Sequence, residues 1–248
     1  MSASDTSGQQ AGLPTIVLVH GAFADSSSWN GVIANLKRRG YPAIAVANPL
    51  RDVQGDAAYA RSVVDSVDGP VVMVAHSYGG VVMTEAADGA ANVKALVYVA
   101  SVSPDVGESV VDLVMKYPGS QLVTSIEMVP YPLPDGGTSM DQYIKQDVFP
   151  AVFAADVDPE VAELMAATQR PASAKAQTGS VTRAAWKTIP SWTLISTQDQ
   201  GIPPDLQRFL AQRAGSTVVE VDGSHAVAVS QPDPVADFID SAARATMG

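Results

Sequence analysis

The stretch Val71-Val72-Met73-Val74-Ala75-His76-Ser77-Tyr78-Gly79-Gly80-Val81-Val82 constrains the fold of this chain more than any other. A β-branched apolar run stops at Ala75-His76, a single serine follows, and Gly79-Gly80 open a second apolar segment of helical character. The pattern predicts a strand, a sharp turn and a helix, with the hydroxyl of Ser77 presented at a strained tip. Such a turn needs small residues two places before and after the serine, so that strand and helix can pack closely. Ala75 and Gly79 fill those places, although the usual form, G-x-S-x-G, has glycine at the first. Ser77 is therefore a candidate nucleophile.

The flanking chain repeats the strand-then-helix logic. Thr15-Ile16-Val17-Leu18-Val19 is a continuous apolar run ending at His20-Gly21, as expected of a strand buried on both faces of a parallel sheet. Ser26-Ser27-Ser28 are expected to cap a helix that puts Trp29, Val32, Ile33 and Leu36 on one face, closed at Lys37-Arg38-Arg39-Gly40. Ala43 to Ala47 predicts a further buried strand, and a helix from about Asp56 to Val67 leads to the strand before Ser77. A helix from Gly80 to about Ala87 and a strand over Ala95-Leu96-Val97-Tyr98-Val99 continue the series. This alternation predicts an α/β fold, a mostly parallel open sheet with helices on both faces.

From about 103 to 190 the alternation fails. This proline-rich stretch, with helical patches such as Pro159 to Thr168, reads as a helical cap inserted over the carboxyl edge of the sheet. The alternation then resumes with a strand at Trp192 to Ser196, a helix opened by Pro203-Pro204, a last strand at Thr217 to Val221 and a terminal helix from Asp233-Pro234. A length of 248 residues fits a single domain over 13–248, preceded by a flexible tail over 1–12 rich in Ser, Gly, Gln and Ala. That tail has neither the basic start nor the apolar core of a secretory signal.

A serine hydroxyl needs a neighbouring base, and the base needs a third group to orient it. Of the three histidines, His76 directly precedes Ser77 and points away from the tip, while His20 sits at a strand end. His225, in Asp222-Gly223-Ser224-His225 after the last strand, is placed at the carboxyl edge opposite Ser77 and is the expected base. Asp199, in the loop after the preceding strand, is the expected acid; Asp205 falls in the next helix and Asp222 is too near His225 along the chain. A tetrahedral oxyanion also requires two N–H donors, expected from Tyr78 after the nucleophile and Ala22 after Gly21. Phe23, Trp29, Tyr78, Phe149, Phe153 and Trp186 are candidate walls for an apolar substrate.

Composition narrows the function classes. With no cysteine, disulfides, thiolate metal sites and a cysteine nucleophile are excluded, which fits a cytoplasmic protein. A net charge of −11, from 15 basic and 26 acidic residues, opposes binding to nucleic acid or anionic membranes. A homodimer is compatible with the sequence, which does not fix the oligomeric state.

Val19-His20-Gly21-Ala22 with Trp29, then Ala75-His76-Ser77-Tyr78-Gly79-Gly80, Asp199 and Gly223-Ser224-His225, resemble the α/β-hydrolase superfamily from about Thr15 onward. Within it they are similar to the small capped serine esterases: bacterial carboxylesterases, plant methyl-salicylate and methyl-jasmonate esterases, and hydroxynitrile lyases. The resemblance implies a Ser77/His225/Asp199 triad, an oxyanion hole at Ala22 and Tyr78, a small-molecule ester as partner, no cofactor or metal, and hydrolysis through an acyl-enzyme. The lyases carry threonine where Gly21 stands and lysine where Ala226 stands, so this sequence lacks the cation a departing cyanide needs. Alternatives on the same scaffold are a perhydrolase or cofactor-free oxygenase, and a small-molecule receptor that retains the triad.

Overall fold

The computed structural model describes residues 12–247, so the predicted tail over 1–12 lies almost wholly outside the described residues. Among the described residues the strands form two sheets. The larger has six strands, all pairing parallel: β1 (Thr15–Val19), β2 (Ala43–Val46), β3 (Val71–Ser77), β4 (Val93–Ser101), and the strands Ser191–Ser196 and Thr217–Val221 that close the chain's alternation. Between β4 and Ser191 lies a long insertion. It holds helices as expected of a helical cap, and in addition an antiparallel sheet of β5 (Ile126–Pro132), β6 (Thr138–Ile144) and β7 (Ala172–Ser173) that the sequence reading did not include. The two closing strands of the large sheet are thus β8 and β9, and the sheet order is β2-β1-β3-β4-β8-β9.

Two cores, one on each face, follow from strand alternation. Ile16, Leu18, Val72 and Val74 join one apolar cluster, while Val17, Val19, Met73 and Ala75 join the other. The first face is covered by α1 (Asn30–Arg38) and the terminal helix at Pro232–Ala245, which contributes Val235, Phe238 and Ile239. The second is covered by α2 (Val53–Asp65), α3 (Gly79–Ala86) and the helix at Pro204–Ala214, through side chains such as Val64, Val81 and Leu206. Side chains are buried on both faces throughout β3, and in β1 and β4 everywhere but at Thr15 and Lys94, which is why these strands read as nearly unbroken apolar runs.

Two local expectations change. The strand at Ala43 is an edge strand, with Ile44 at 38% exposure, because only β1 pairs with it. The helical turn before α1 is capped by Asp25, whose carboxylate accepts from the Ser27 N–H at 2.7 Å, and the predicted serine caps occupy the 3-10 turn itself.

Within the insertion, α4 (Val110–Lys116) and α5 (Leu122–Ser125) precede the small sheet, and α6 (Phe149–Phe153), α7 (Pro159–Thr168) and α8 (Ala174–Thr178) are grouped around β7. With these, Pro204–Ala214 is α9, and α10 (Val227–Ser230) and α11 (Pro232–Ala245) end the chain. The β5–β6 hairpin turns at Leu133-Pro134-Asp135-Gly136-Gly137, where Gly136 takes φ +83° and the Leu133 N–H donates to Gly137 O at 2.8 Å. That turn signal was present in the sequence. No helix among the described residues is long and apolar enough to cross a membrane.

Both roots of the insertion are tied to one another and to α9. The Trp186 indole N–H donates to Pro104 O at 2.8 Å and Lys187 pairs with Asp105 at 2.5 Å. Arg213 reaches from α9 to Ser103 O at 2.8 Å and to Glu108 at 2.9 Å. Partial burial opposes ionisation of Glu108, but Arg213, the Asp105 N–H and Lys116 outweigh it and draw its carboxyl down to about 2. Because this folded-state value lies below the ordinary 4.5, the contribution is complete above pH 4.5 and lost as the pH falls toward 2. Glu108→Gln is therefore expected to cost about 1 kcal/mol at pH 7, the screened value for a part-exposed pair. It should also flatten the fall of the melting temperature between pH 4.5 and 2, which thermal denaturation across that range measures.

Candidate active site

Ser77 ends β3 with φ +54°, in the left-handed region that a residue with a side chain rarely occupies. Several close approaches hold it there. A Cβ on Gly21 would stand 2.6 Å from Ser77 Cβ, and one on Gly79 would collide with Val19 O, so the loop after β1 and the start of α3 press directly on the turn. The Ser101 hydroxyl donates to Ser77 O at 2.7 Å from β4. Glycine at 21 and 79 is thus required by contact distance, while Ala75 fits its buried place in the strand.

His225 and Asp199 arrive from the loops after β9 and β8. His225 Nε2 lies 2.9 Å from Ser77 Oγ, and His225 Nδ1 lies 2.8 Å from Asp199 Oδ2. All three side chains are buried or nearly so, with the imidazole wholly excluded from solvent. Asp199 is itself fixed: its Oδ1 accepts from the N–H groups of Gly201 and Ile202 at 2.7 and 2.8 Å, and its Oδ2 also accepts from Gln207 Nε2 at 2.9 Å. The carboxylate is left one direction for the imidazole, which sets Nδ1 as the donor and Nε2 as the acceptor facing the serine.

The remaining predicted residues separate into two groups. Ala22, Phe23 and Tyr78 line a cavity of about 350 Å³ together with Ser77, and Phe23 does so with φ +62°. Trp29, Phe149, Phe153 and Trp186 do not line it, which corrects their assignment as pocket walls. Trp29 meets the His76 ring edge-on at 6.4 Å, Phe149 stacks on Phe153, and Phe153 meets the His225 ring at 4.8 Å. Trp29 thus packs on His76, Phe153 with Phe149 behind it packs on His225, and Trp186 serves the root of the insertion. The lining comes instead from the insertion: Val110, Val114, Met115, Leu122, Ile126 and Met128 among others.

Three supporting residues escaped the sequence reading. His76 points away from the turn as expected, but its Nε2 donates to the His225 carbonyl at 2.8 Å and its ring lies 4.6 Å from that of His225. Gln207 holds Asp199 from α9. Asp56, buried on α2, accepts from the Tyr78 hydroxyl at 2.8 Å and from the Arg51 N–H at 3.0 Å. Burial pushes the Asp56 carboxyl above its ordinary value, against those two bonds, and burial with the Asp56 charge raises the Tyr78 phenol. Nothing local in Val53 to Asp65 distinguishes Asp56 from a solvated helix residue, since its partners are distant in sequence.

Ser77, Asp199 and His225, contributed in that chain order after β3, β8 and β9 at the carboxyl edge of a parallel sheet, form the arrangement that defines the α/β-hydrolase class of protein. This chain belongs to that family: the model of the alpha/beta hydrolase family matches residues 16–238. It is 25% identical over 252 aligned positions to the alpha/beta hydrolase nvfD of Aspergillus novofumigatus, covering 93% of this chain and 96% of that protein. Among solved structures it is similar in fold to polyneuridine aldehyde esterase, with a TM-score of 0.79, 19% identity and coverage of 92% and 98% of the two chains. A methylesterase from Arabidopsis gives a TM-score of 0.75 at 17% identity, covering 94% of this chain and 99% of the other. A pyrethroid hydrolase gives 0.75 at 20% identity, with coverage of 94% and 98%.

The histidines behind the site carry a stability consequence. Burial holds His20 below the ordinary histidine value, and burial followed by the nearby His225 holds His76 well below it. His20 Nδ1 donates to Gly21 O and its Nε2 accepts the Asn48 N–H, so a second proton on that ring would cost the bond from Asn48, while burial and the neighbouring His225 disfavour the charged form of His76. The unfolded chain takes up these protons at a higher pH than the folded one, so stability falls as the pH drops below about 6.5. Denaturant midpoints should decline from pH 7 to pH 5, by up to about 1.4 kcal/mol per pH unit for each histidine, and His76→Gln should remove part of that slope.

Proposed function

We propose that this protein is a serine carboxylesterase acting on small, uncharged, fairly apolar carboxylic esters. Ser77 Oγ attacks the ester carbonyl as its proton passes to His225 Nε2, and Asp199 stabilises the resulting imidazolium through Nδ1. The N–H groups of Ala22 and Tyr78 receive the oxyanion. Both residues border the cavity beside Ser77, and Tyr78 stands at the N-terminus of α3, where backbone N–H groups lack intrahelical acceptors. Collapse of the tetrahedral intermediate breaks the bond to the alkoxy oxygen, which takes the proton from His225 and departs as the alcohol. Water, deprotonated by the same imidazole, then attacks the acyl-serine, and collapse returns the Ser77 hydroxyl and releases the carboxylic acid.

The observation that carries this reading is the continuous Ser77–His225–Asp199 contact, at 2.9 and 2.8 Å, opening onto an apolar cavity. Support comes also from the names of proteins sharing the fold, an aldehyde esterase and a methylesterase among them. No cation stands at Gly21 or Ala226 to assist an anionic leaving group, which favours hydrolysis over lyase chemistry.

A serine-reactive phosphonate is expected to label Ser77 stoichiometrically, read by peptide mass spectrometry, and to abolish hydrolysis of an activated ester. Ser77→Ala should lower kcat by about 10³-fold or more, and Asp199→Asn by about 10²- to 10⁴-fold through loss of the correct imidazole tautomer. Wild-type turnover rates in Ser77→Ala, or labelling at another residue, would overturn the proposal.

A further inference from the structure

The proposed hydrolysis leaves two polar side chains of the cavity unused. Its polar lining comprises Ser77, Tyr78, Gln142 and Gln177. Ser77 contacts His225 and the Tyr78 hydroxyl is spent on Asp56, which leaves the two carboxamides. Among the described residues neither of them hydrogen-bonds another protein group.

Strand alternation explains how Gln142 comes to face the cavity. Ile126 and Met128 line it from β5, and Gln142 stands directly across from Met128 in the β5–β6 ladder, on the same face. Asp141, one residue away on the other face, is held by Arg51 at 2.8 Å, which pins the strand and with it the direction of Gln142. Gln177 is carried by α8, which packs on β6 and is capped by Ser173.

A carboxamide offers two donors and an acceptor without charge, the complement of a hydroxyl or ketone oxygen. No charged side chain lines the cavity among the described residues, so a carboxylate or ammonium on the ligand would be desolvated without a counter-charge. Val111, Met115, Val123 and Met128 both line the cavity and remain exposed, giving it an apolar mouth. About 350 Å³ falls within the range of pockets that hold ligands of drug size.

We propose that Gln142 and Gln177 form a neutral polar subsite that binds a hydroxyl or ketone oxygen on the non-reacting part of an uncharged, lipophilic ester. This assignment rests on the esterase reading of Ser77 and specifies the substrate class of that site. The subsite discriminates oxygenated esters from plain alkyl esters of the same length, and excludes esters that carry a second, ionised carboxyl group.

The test uses matched esters: nitrophenyl hexanoate, its terminal hydroxy and subterminal keto counterparts, and the nitrophenyl monoester of adipic acid. A second series, hexyl acetate and its terminal hydroxy counterpart, places the oxygen on the alcohol side. In at least one series the wild type is expected to favour the neutral oxygenated ester in kcat/KM, and to turn over the adipate monoester least. Gln142→Leu and Gln177→Leu should each reduce the preference for oxygenated over plain ester about three- to tenfold, chiefly through KM, the effect of one lost hydrogen bond. Melting temperatures check folding, and Gln142→Met and Gln177→Met serve where a leucine variant does not fold. An oxygenated-to-plain ratio identical in wild type and both variants across both series would overturn the subsite. If the wild type hydrolyses no ester, the esterase reading fails on its own. The subsite is then judged by whether hydroxyhexyl acetate raises the melting temperature more than hexyl acetate, and whether either glutamine substitution removes that difference; no difference overturns it.

Discussion

Ser77 occupies a backbone conformation that costs of the order of 1–3 kcal/mol for a residue with a side chain, and the rest of the site depends on that conformation being enforced. The enforcement is close packing of backbone on backbone. The loop after β1 touches Ser77 where Gly21 has no Cβ, α3 touches the β1 carbonyl where Gly79 has none, and Gly80 lies against Val102 O beyond β4. These contacts join three adjacent strands, β1, β3 and β4, so the strain at one residue is opposed by the two-sided core of the sheet. A serine on a loop without that backing would relax to an ordinary φ, and its hydroxyl would leave the line toward His225 Nε2.

His225 is fixed by an equally distributed set of contacts. Its backbone carbonyl accepts from His76 on β3, the next N–H donates to Phe153 O in the insertion, and the Ser196 hydroxyl on β8 donates to the Ser224 carbonyl just before it. Asp199 accepts from two backbone N–H groups and Gln207 as well as from His225, so a buried carboxylate is tolerated without a lysine or arginine beside it. The other buried carboxylate, Asp56, connects the turn to the insertion. Asp141 of β6 pairs with Arg51, the Arg51 N–H donates to Asp56, and Asp56 accepts from Tyr78, the residue following Ser77. Ser173 N–H reaches Leu50 O at 2.9 Å in the same region. Loss of the Tyr78 hydroxyl would leave the buried Asp56 carboxylate short of a donor, the costly asymmetry of polar networks in a low-dielectric interior.

What the sequence made legible, and what it did not, divides along sequence separation. The runs at Thr15 to Val19 and Val71 to Ser77 announce strands because both of their faces are apolar, and the chain order of Ser77, Asp199 and His225 follows from which strand each loop leaves. The small sheet was hidden for a physical reason. β5 carries Pro130 and Pro132, which cannot donate to a ladder, yet it is the outer strand of its sheet and needs donors on one side only. Residue type likewise fails to tell which way an aromatic faces: Trp29 and Phe153 are as apolar as any pocket wall, but the sheet and α6 turn them onto the two histidines. Asp56 and Gln207 were illegible because a buried polar residue looks like an exposed one until its distant partner is in place.

The same division assigns chemistry and selectivity to different parts of the molecule. Every atom within hydrogen-bonding reach of the Ser77–His225–Asp199 set comes from the large sheet, its loops or α9, whereas most of the cavity lining comes from α4, α5, β5, β6 and α8. The sheet is committed: its central strands, β1, β3, β4 and β8, are buried on both faces over nearly all their length, and a volume change there propagates through tightly packed neighbours. The insertion is not, since β5 is largely exposed and the cavity-facing positions of α4 and α5 border open space. Substitution at those positions alters the shape and polarity of the cavity without crossing the network that holds the imidazole. A protein built in this way can change what it admits far more readily than what it does to it.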